Sequence, residues 1–272
     1  MLKYLKKIYR VLKPKKFTND EFFEITLQSN NLIKSYKKKA DFYSVELING
    51  IKLVIRGSNY SDYSVFKQIF NFKEYDLVLS LIKLNSNTTK ENTIIIDAGA
   101  NVGYTSSYFA HNLNSVSIYG VEPSVHNCEI YAENIKTIPT PQSVKIYNAA
   151  LSEKQGVHYS IERDFRDKKD WSITTNENTN GEIKGISISE IINKNNLKYI
   201  TLLKIDIEGA ERFIFKTEND LSFLKITQII AIEIHDEFNI RESILTILKS
   251  NDFVLLESGE LTIGLNKSFF VQ

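Results

Sequence analysis

The feature that most constrains the fold is a regular alternation of apolar runs with helical segments, which begins at Thr93 and continues to the end of the chain. The runs are continuous and rich in Ile and Val, which is typical of strands covered on both faces. Strands of this kind separated by helices predict a parallel sheet in an α/β domain. The last two runs have no helix between them, so we expect the final strand to be antiparallel. The seven predicted strands are 93–96, 116–121, 143–147, 200–205, 228–234, 252–257 and 262–271.

The residues before Thr93 follow a different pattern, which predicts an N-terminal extension over 1–90 and a Rossmann-like domain over 91–272. In the extension, residues 18–39 favour an irregular helical stretch and residues 62–84 a further helix. Between them, Asn49-Gly50 joins two runs of alternating apolar residues, a strong signal of a β-hairpin. Within the domain, the polar stretch at 158–185 predicts a long loop or a small insertion.

The charge of the chain is concentrated at its start. Residues 1–39 carry eleven Lys or Arg and three Asp or Glu, although the net charge of the whole chain is only +1. This overall balance argues against nucleic acid as the main partner. Residues 2–13 have the spacing of a basic amphipathic helix, which either packs on the domain or docks on an anionic surface, a membrane or a polyanionic glycan. A peripheral membrane contact would involve residues 1–17.

Cysteine content and hydropathy bear on the cellular location. The single cysteine, Cys128, cannot form an intrachain disulfide, which fits a reducing compartment. No apolar run reaches the ~18–20 residues needed to span a bilayer, and no signal-peptide pattern is present. We expect a cytoplasmic protein that is either free or peripheral at the inner membrane surface. The oligomeric state is left open.

A glycine-containing turn directly follows the first predicted strand of the domain. It reads Asp97-Ala98-Gly99-Ala100-Asn101-Val102-Gly103 and opens a helix. The glycines allow a ligand to approach the backbone, and the helix N-terminus offers free N–H groups to an anion. Because the spacing differs from the G-x-G-x-x-G of dinucleotide sites, a ligand with a carboxylate and a cationic centre fits better. Asp97 would then face an ammonium group.

Acidic residues lie at the predicted ends of three strands. Glu122 ends the second strand, about 20 residues beyond the last loop glycine, where an acid accepts hydrogen bonds from a ribose diol. The alternative is an acid that supports a helix dipole. Asp206 and Glu208 follow the fourth strand, and Glu233 and His235 end the fifth. Buried charge is costly, so such groups are normally paired or functional.

Two further interpretations concern these acids. Glu211 is expected to cap the helix that follows the fourth strand. A divalent metal held by Asp206, Glu233 and His235 is a minor alternative, and we expect no metal.

Together these segments resemble the FkbM family of methyltransferases from about Ser64 to the C-terminus. The resemblance implies a class I methyltransferase fold with a seven-stranded sheet and S-adenosylmethionine as the cofactor. It also implies methyl transfer to oxygen on a glycan, a polyketide or a similar hydroxylated small molecule. It rests on IIIDAGANVGYTSSYFA at 94–110, YGVEPSVHNCEIYAENI at 119–135, NAALSE at 148–153, LLKIDIEGAE at 202–211 and AIEIH at 231–235.

The resemblance implies two groups of site residues. Those expected to contact the cofactor are Asp97, Gly99, Asn101 and Gly103 at the methionine end, Tyr75 closing over it, Glu122 and Pro123 at the ribose, Asn148 and Ala149 near the adenine, and Asp206. Those expected at the reaction centre are Asp206, Glu208, Glu233 and His235. Asn101 stands where many methyltransferases have a glycine, which is tolerable because Asn accepts unusual backbone angles.

The implied reaction is in-line attack of a hydroxyl on the sulfonium methyl group, which needs a base. His235 is the first candidate because the ordinary pKa of histidine is nearest neutrality, and Asp206 or Glu208 is the second. Two other functions stay open: an NAD(P)-dependent oxidoreductase, which the missing G-x-G-x-x-G disfavours, and a non-catalytic binding module on a methyltransferase scaffold.

Overall fold

In the computed structural model, the described residues are 17–86, 92–138, 143–162, 174–178 and 181–270. The predicted basic helix at 2–13 lies outside them. Among the helices of the described residues, none has the length and apolarity needed to span a membrane.

The N-terminal extension combines helices with a three-stranded antiparallel sheet. The hairpin predicted at Asn49-Gly50 is confirmed, with Gly50 at a φ of 88°. Residues 33–38 form a strand, so the helical prediction was wrong there, because pairing with the neighbouring strand outweighs local preference. The elements are α1 (Asn19–Ser29), β1 (Ile33–Lys38), β2 (Phe42–Leu47), β3 (Lys52–Arg56), α2 (Asp62–Phe66), a π-helical segment (Lys67–Asn71) and α3 (Asp76–Ser86).

The helix predicted over 62–84 is interrupted. The π-helical segment follows α2 directly, and Lys73 then takes a left-handed φ of 57° before α3 begins. The break leaves Glu74 and Tyr75 outside any helix. Wide helical turns of this kind occur frequently at functional sites.

A seven-stranded sheet in the order β13-β14-β12-β11-β4-β5-β6 forms the centre of the molecule. Only β14 runs against the others, which confirms the predicted sheet with its last strand antiparallel. The strands are β4 (Thr93–Ala98), β5 (Val116–Glu122), β6 (Ser143–Asn148), β11 (Ile200–Ile205), β12 (Thr227–Glu233), β13 (Phe253–Ser258) and β14 (Leu261–Asn266). The helices of this part are α4 (Tyr104–Asn112), α5 (Val125–Ile135), α6 (Ile188–Asn195), α7 (Glu211–Ile214), α8 (Arg241–Ser250) and α9 (Lys267–Phe270).

The stretch at 158–185 is a small insertion. Its strands β8 (His158–Glu162), β9 (Thr174–Glu177) and β10 (Ile183–Ile186) join β7 (Ala150–Leu151) in a second sheet of order β7-β10-β8-β9. The last predicted strand was too long. Buried Asn266 donates to two backbone carbonyls and accepts from the backbone N–H of Ser268 at 3.1 Å, which ends β14 and starts α9.

One hydrophobic core joins the extension to the main sheet. Leu27, Tyr43 and Phe66 of the extension belong to the same buried cluster as Ile95 and Phe109 of the domain. The boundary predicted near residue 90 therefore does not separate two cores.

Polar contacts fasten the edge strand β3 to the domain. The backbone N–H of Val54 donates to Asn134 Oδ1, and the backbone oxygen of Val54 accepts from the hydroxyl of Tyr104, both at 2.7 Å. The side chain of Asn134 also donates to the backbone oxygen of Val102 at 2.7 Å. Side chains of α4 and α5 thus satisfy backbone groups that an edge strand would otherwise leave unpaired.

A buried ion pair links β3 to α2 and continues into the domain. Arg56 Nη2 lies 2.6 Å from Asp62 Oδ1, and Asp62 also accepts from the backbone N–H of Arg56. The same guanidinium donates to Asn127 Oδ1 at 2.9 Å, and Asn127 Nδ2 donates to Glu122 Oε1 at 3.2 Å. The network therefore runs from the extension to the end of β5.

We expect Asp62→Ala to lower the free energy of unfolding by about 3–5 kcal/mol, because it leaves a buried guanidinium without its carboxylate. Urea denaturation would measure the loss. Lys34→Ala is the control, since it removes an exposed ion pair with Glu46 and should change stability little. Similar stabilities for the two variants would contradict a structural role of the network.

Candidate functional site

A cavity of about 300 Å³ opens at the edge of the sheet where β4, β5, β11 and β12 end. The extension covers one side of it through Val65, Gln68 and Ile69. The lining includes residues from the ends of β4 and β5, from α5 and from β7: Gly99, Ala100, Asn101, Glu122, Pro123, Asn127, Ala150 and Leu151. Besides Glu122 it includes five carboxylates: Glu74, Asp206, Glu208, Glu233 and Glu260.

The two loop glycines have different tasks. Gly99 lines the cavity at a φ of 75°, and an added Cβ would lie 1.6 Å from the backbone oxygen of Asp206. Gly103, at a φ of 79°, packs beneath Tyr131, whose ring would lie 2.0 Å from an added Cβ. Gly103 is not among the residues that line the cavity, so its part is to let α5 approach the loop. Asn101 adopts a φ of 49°, which Asn tolerates better than most residues.

Glu122 is 5% exposed and held by three hydrogen bonds. Its carboxylate accepts from the backbone N–H groups of Asn101 and Ser124, both at 2.9 Å, and from Asn127 Nδ2 at 3.2 Å. Burial raises the pKa of Glu122, while these hydrogen bonds oppose the shift. A carboxylate offers about four acceptor positions, so one is left for a hydroxyl in the cavity.

Asp97 is completely buried and does not line the cavity. Its Oδ2 accepts from Ser106 Oγ at 2.7 Å, and its Oδ1 lies 3.3 Å from Lys204 Nζ. Lys204, which does line the cavity, donates to the backbone oxygen of Gly99 at 2.7 Å. Burial lowers the pKa of Lys204, but Asp97 and Asp206 outweigh it and raise the pKa overall. Because Lys204 already neutralises Asp97, the predicted direct contact between Asp97 and an ammonium group is not supported.

The prediction for the adenine end is off by about two positions in the sequence. Asn148 and Ala149 do not line the cavity, whereas Ala150 and Leu151 do. Asn148 Nδ2 donates instead to the backbone oxygens of Glu122 and Pro123, at 3.1 and 2.9 Å, and so holds the end of β5. Pro123 and Tyr75 do line the cavity. Their contacts with a cofactor stay predictions.

His235 is 2% exposed and lies behind the carboxylates that face the cavity. Its Nδ1 is 3.1 Å from Glu211 Oε1, and its Nε2 is 3.4 Å from Glu208 Oε2 and 3.7 Å from Glu233 Oε1. Burial lowers the pKa of His235, but Glu208 and Glu211 more than compensate and raise it to about 10. A raised pKa makes His235 a weaker candidate for the base, and its catalytic role stays a prediction.

Glu211 begins a helix but does not cap it. It is completely buried at the start of α7, and its Oε1 accepts from the backbone N–H of Ile207 at 3.2 Å. Ala210, not Glu211, is the N-cap of α7, and no side chain caps this helix, so the capping prediction was wrong. The same oxygen of Glu211 instead orients the ring of His235.

Sequence patterns did not identify Glu74. This carboxylate lines the cavity, and burial followed by repulsion from Asp206 raises its pKa to about 7. The same two causes raise the pKa of Glu233 to about 8. The apolar spacing continues across the helix break, so the sequence predicts one uninterrupted helix and hides the turn that holds Glu74. The one sequence signal for Glu74 was its position next to Tyr75, which was expected to contact the cofactor.

The strand order, the glycine turn and the acid ending the second strand together define a class I methyltransferase. A family model described as the methyltransferase FkbM domain matches residues 97–255, more than half of the chain. The chain therefore belongs to the FkbM family of S-adenosylmethionine-dependent methyltransferases. The alternative of an NAD(P)-dependent oxidoreductase is not favoured.

No curated protein matches the chain. Among solved structures, a precorrin-6y C5,15-methyltransferase from Geobacter metallireducens is similar at 9% identity and a TM-score of 0.37, over 68% of this chain and 87% of that one. The fibrillarin pre-rRNA processing protein of Methanococcus jannaschii is similar at 12% identity and a TM-score of 0.40, over 86% and 97%. A SAM-dependent methyltransferase from Agrobacterium tumefaciens is similar at 8% identity and a TM-score of 0.38, over 78% and 59%.

The residues present fit S-adenosylmethionine. Asn101 lines the cavity with a buried Oδ1 that has no hydrogen-bond partner in the described part of the chain, so it can accept from a ligand. Gly99 leaves the loop backbone open to the cavity, and Glu122 retains an acceptor position for a ribose hydroxyl.

We expect Gly99→Ala to reduce the affinity for S-adenosylhomocysteine at least about tenfold, because its Cβ would displace the loop from the end of β11. Isothermal titration calorimetry would measure the loss. Gly50→Ala is a matched control, since Gly50 also has a positive φ but nothing lies within 4 Å of an added Cβ. Equal affinities in the two variants would disprove the role assigned to Gly99.

Proposed function

We propose that the protein transfers a methyl group from S-adenosylmethionine to a hydroxyl oxygen of a glycan or a hydroxylated natural product. The observation that supports this proposal is Glu74, a cavity carboxylate with a pKa of about 7. A hydroxyl must lose its proton as it attacks carbon, and a base with a pKa near the working pH does this most effectively.

The cofactor would lie along the loop after β4. Gly99 and Asn101 would hold its methionine end, and Glu122 would accept from its ribose. When bound, S-adenosylmethionine supplies a methyl group on a positively charged sulfur, which is already a good leaving group. The protein's contribution is therefore largely to align the acceptor hydroxyl and to remove its proton.

Glu74 is the best-placed base among the cavity acids. Its carboxylate makes no hydrogen bond or ion pair within the described residues, whereas Asp206 lies 3.8 Å from Lys204 and Glu233 lies 3.7 Å from His235. The charged groups that act on Glu74 are Asp206 and Glu260, which raise its pKa, and Lys204, which lowers it. Burial, together with repulsion from these carboxylates, thus brings the pKa of Glu74 near neutrality.

The acidic lining of the cavity also favours a hydroxylated acceptor. Ionised carboxylates are pure hydrogen-bond acceptors, so several of them can hold several hydroxyl groups at once. The same negative charge would repel a phosphate backbone, which disfavours nucleic acid as the acceptor. Gln68 adds an amide from the extension to the cavity wall.

We expect Glu122→Gln to weaken S-adenosylhomocysteine binding about 10- to 100-fold, because hydrogen bonds to charged groups contribute about 1.5–3 kcal/mol. Calorimetry would measure the affinity and circular dichroism would verify the fold. Glu129→Gln, on the exposed face of α5, is the control and should bind normally. Undiminished affinity in Glu122→Gln would remove the ribose role.

We expect turnover of the natural enzyme to rise with pH through about 7, because Glu74 acts as a base only when ionised. Glu74→Gln should reduce kcat by about 10²–10⁴-fold and abolish this rise, with cofactor affinity unchanged. The conversion of a hydroxylated acceptor, followed by mass spectrometry from pH 5.5 to 9, would measure both effects. Glu260→Gln removes another cavity acid and should keep the rise. Persistence of the pH dependence in Glu74→Gln would eliminate Glu74 as the base.

A further inference from the structure

We propose that Asp206, Glu208 and His235 bind a divalent metal ion beside the acceptor end of the cavity. One ligand atom from each residue can be chosen so that all three lie within 4.8 Å of one another. Ligand atoms ~2.0–2.2 Å from a common ion lie at most ~4.4 Å apart, so small side-chain movements would complete the site.

The geometry of His235 gives the first argument. Its ring is almost completely buried, and Nε2 has no hydrogen-bond partner in the described part of the chain although it points at the carboxylates. Nδ1 is instead held by Glu211 at 3.1 Å. A histidine whose one nitrogen is fixed by a carboxylate and whose other nitrogen faces a charged cluster has the usual arrangement of a metal ligand.

The charge of the site gives the second argument. Asp206 and Glu208 line the cavity together with four further acids, and Lys204 is the single cation among the described lining residues. Lys204 is already shared between Asp97 and the loop carbonyls. A divalent ion would offset the remaining repulsion.

The ligand set indicates which ion to test. Two carboxylates and one imidazole suit an ion that accepts both oxygen and nitrogen, which Mn²⁺ does. Three protein ligands leave coordination positions open toward the cavity. An acceptor hydroxyl bound there would lose its proton more easily, and Glu74 would take that proton. This use of the ion rests on the proposed function, but the site itself does not.

The test is a titration of the EDTA-treated full chain with Mn²⁺, in the absence of cofactor and acceptor. Binding is measured as the loss of the electron paramagnetic resonance signal of free Mn²⁺. We expect one ion per chain. Asp206→Asn and His235→Gln should each weaken binding at least about tenfold. Asp206 is partly exposed, so its variant should fold even if that of His235 does not.

Two controls separate this site from general attraction to acids. Glu260→Gln removes a cavity acid outside the three ligands, and His126→Gln removes an exposed histidine, so both should bind Mn²⁺ normally. Absence of stoichiometric binding, equal weakening in Glu260→Gln, or full binding in Asp206→Asn would overturn the proposal. If the chain binds no Mn²⁺ and still transfers methyl groups in EDTA, the metal site is refuted but the proposed function is not. If the chain binds Mn²⁺ but methylates no hydroxyl, the proposed function is refuted but the metal site is not.

Discussion

The buried ammonium group of Lys204 is the contact on which the site depends. It lies between Asp97 and Asp206 and donates to the backbone oxygens of Ala98 and Gly99, at 3.3 and 2.7 Å. One cation therefore ties the end of β11 to the loop that follows β4. A buried charge is tolerated only when it is paired and hydrogen-bonded, and Lys204 meets both conditions. The position of the loop, and with it the shape of the cavity, follows from this arrangement.

The N-terminal extension is part of the same site. Its π-helical segment supplies Gln68 and Ile69 to the cavity wall, and the break after it supplies Glu74. The network from Arg56 through Asn127 also reaches Glu122, so the extension positions an acid of the domain. Residues outside the matched range of the family model thus shape the cavity.

Local sequence patterns predicted the central sheet and the loop but not the pairing of side chains. Strand Ile200–Ile205 is a mainly apolar run that includes Lys204, and its predicted limits agree with the structure. Strand Ile33–Lys38 depends on a partner distant in sequence, and its lysines concealed it. Dependence on partners distant in sequence also explains why the side-chain pairs of the site were not predicted. A glycine turn or a strand-end acid is visible locally, whereas the pairing of Asp97 with Lys204 or of Glu211 with His235 is created by folding.

That pairing divides the carboxylates at this edge into two kinds. Glu122 receives three hydrogen bonds and Glu211 holds a backbone N–H and a histidine, so both side chains are fixed in position. Glu74 and Glu233 face the cavity with weaker partners, and burial together with Asp206 raises the pKa of each toward or above neutrality. When the environments of neighbouring acids push their pKa values apart, the acids commonly have different roles, some structural and some in proton transfer. In the proposed reaction, we therefore assign proton transfer to the carboxylates at the cavity surface rather than to His235.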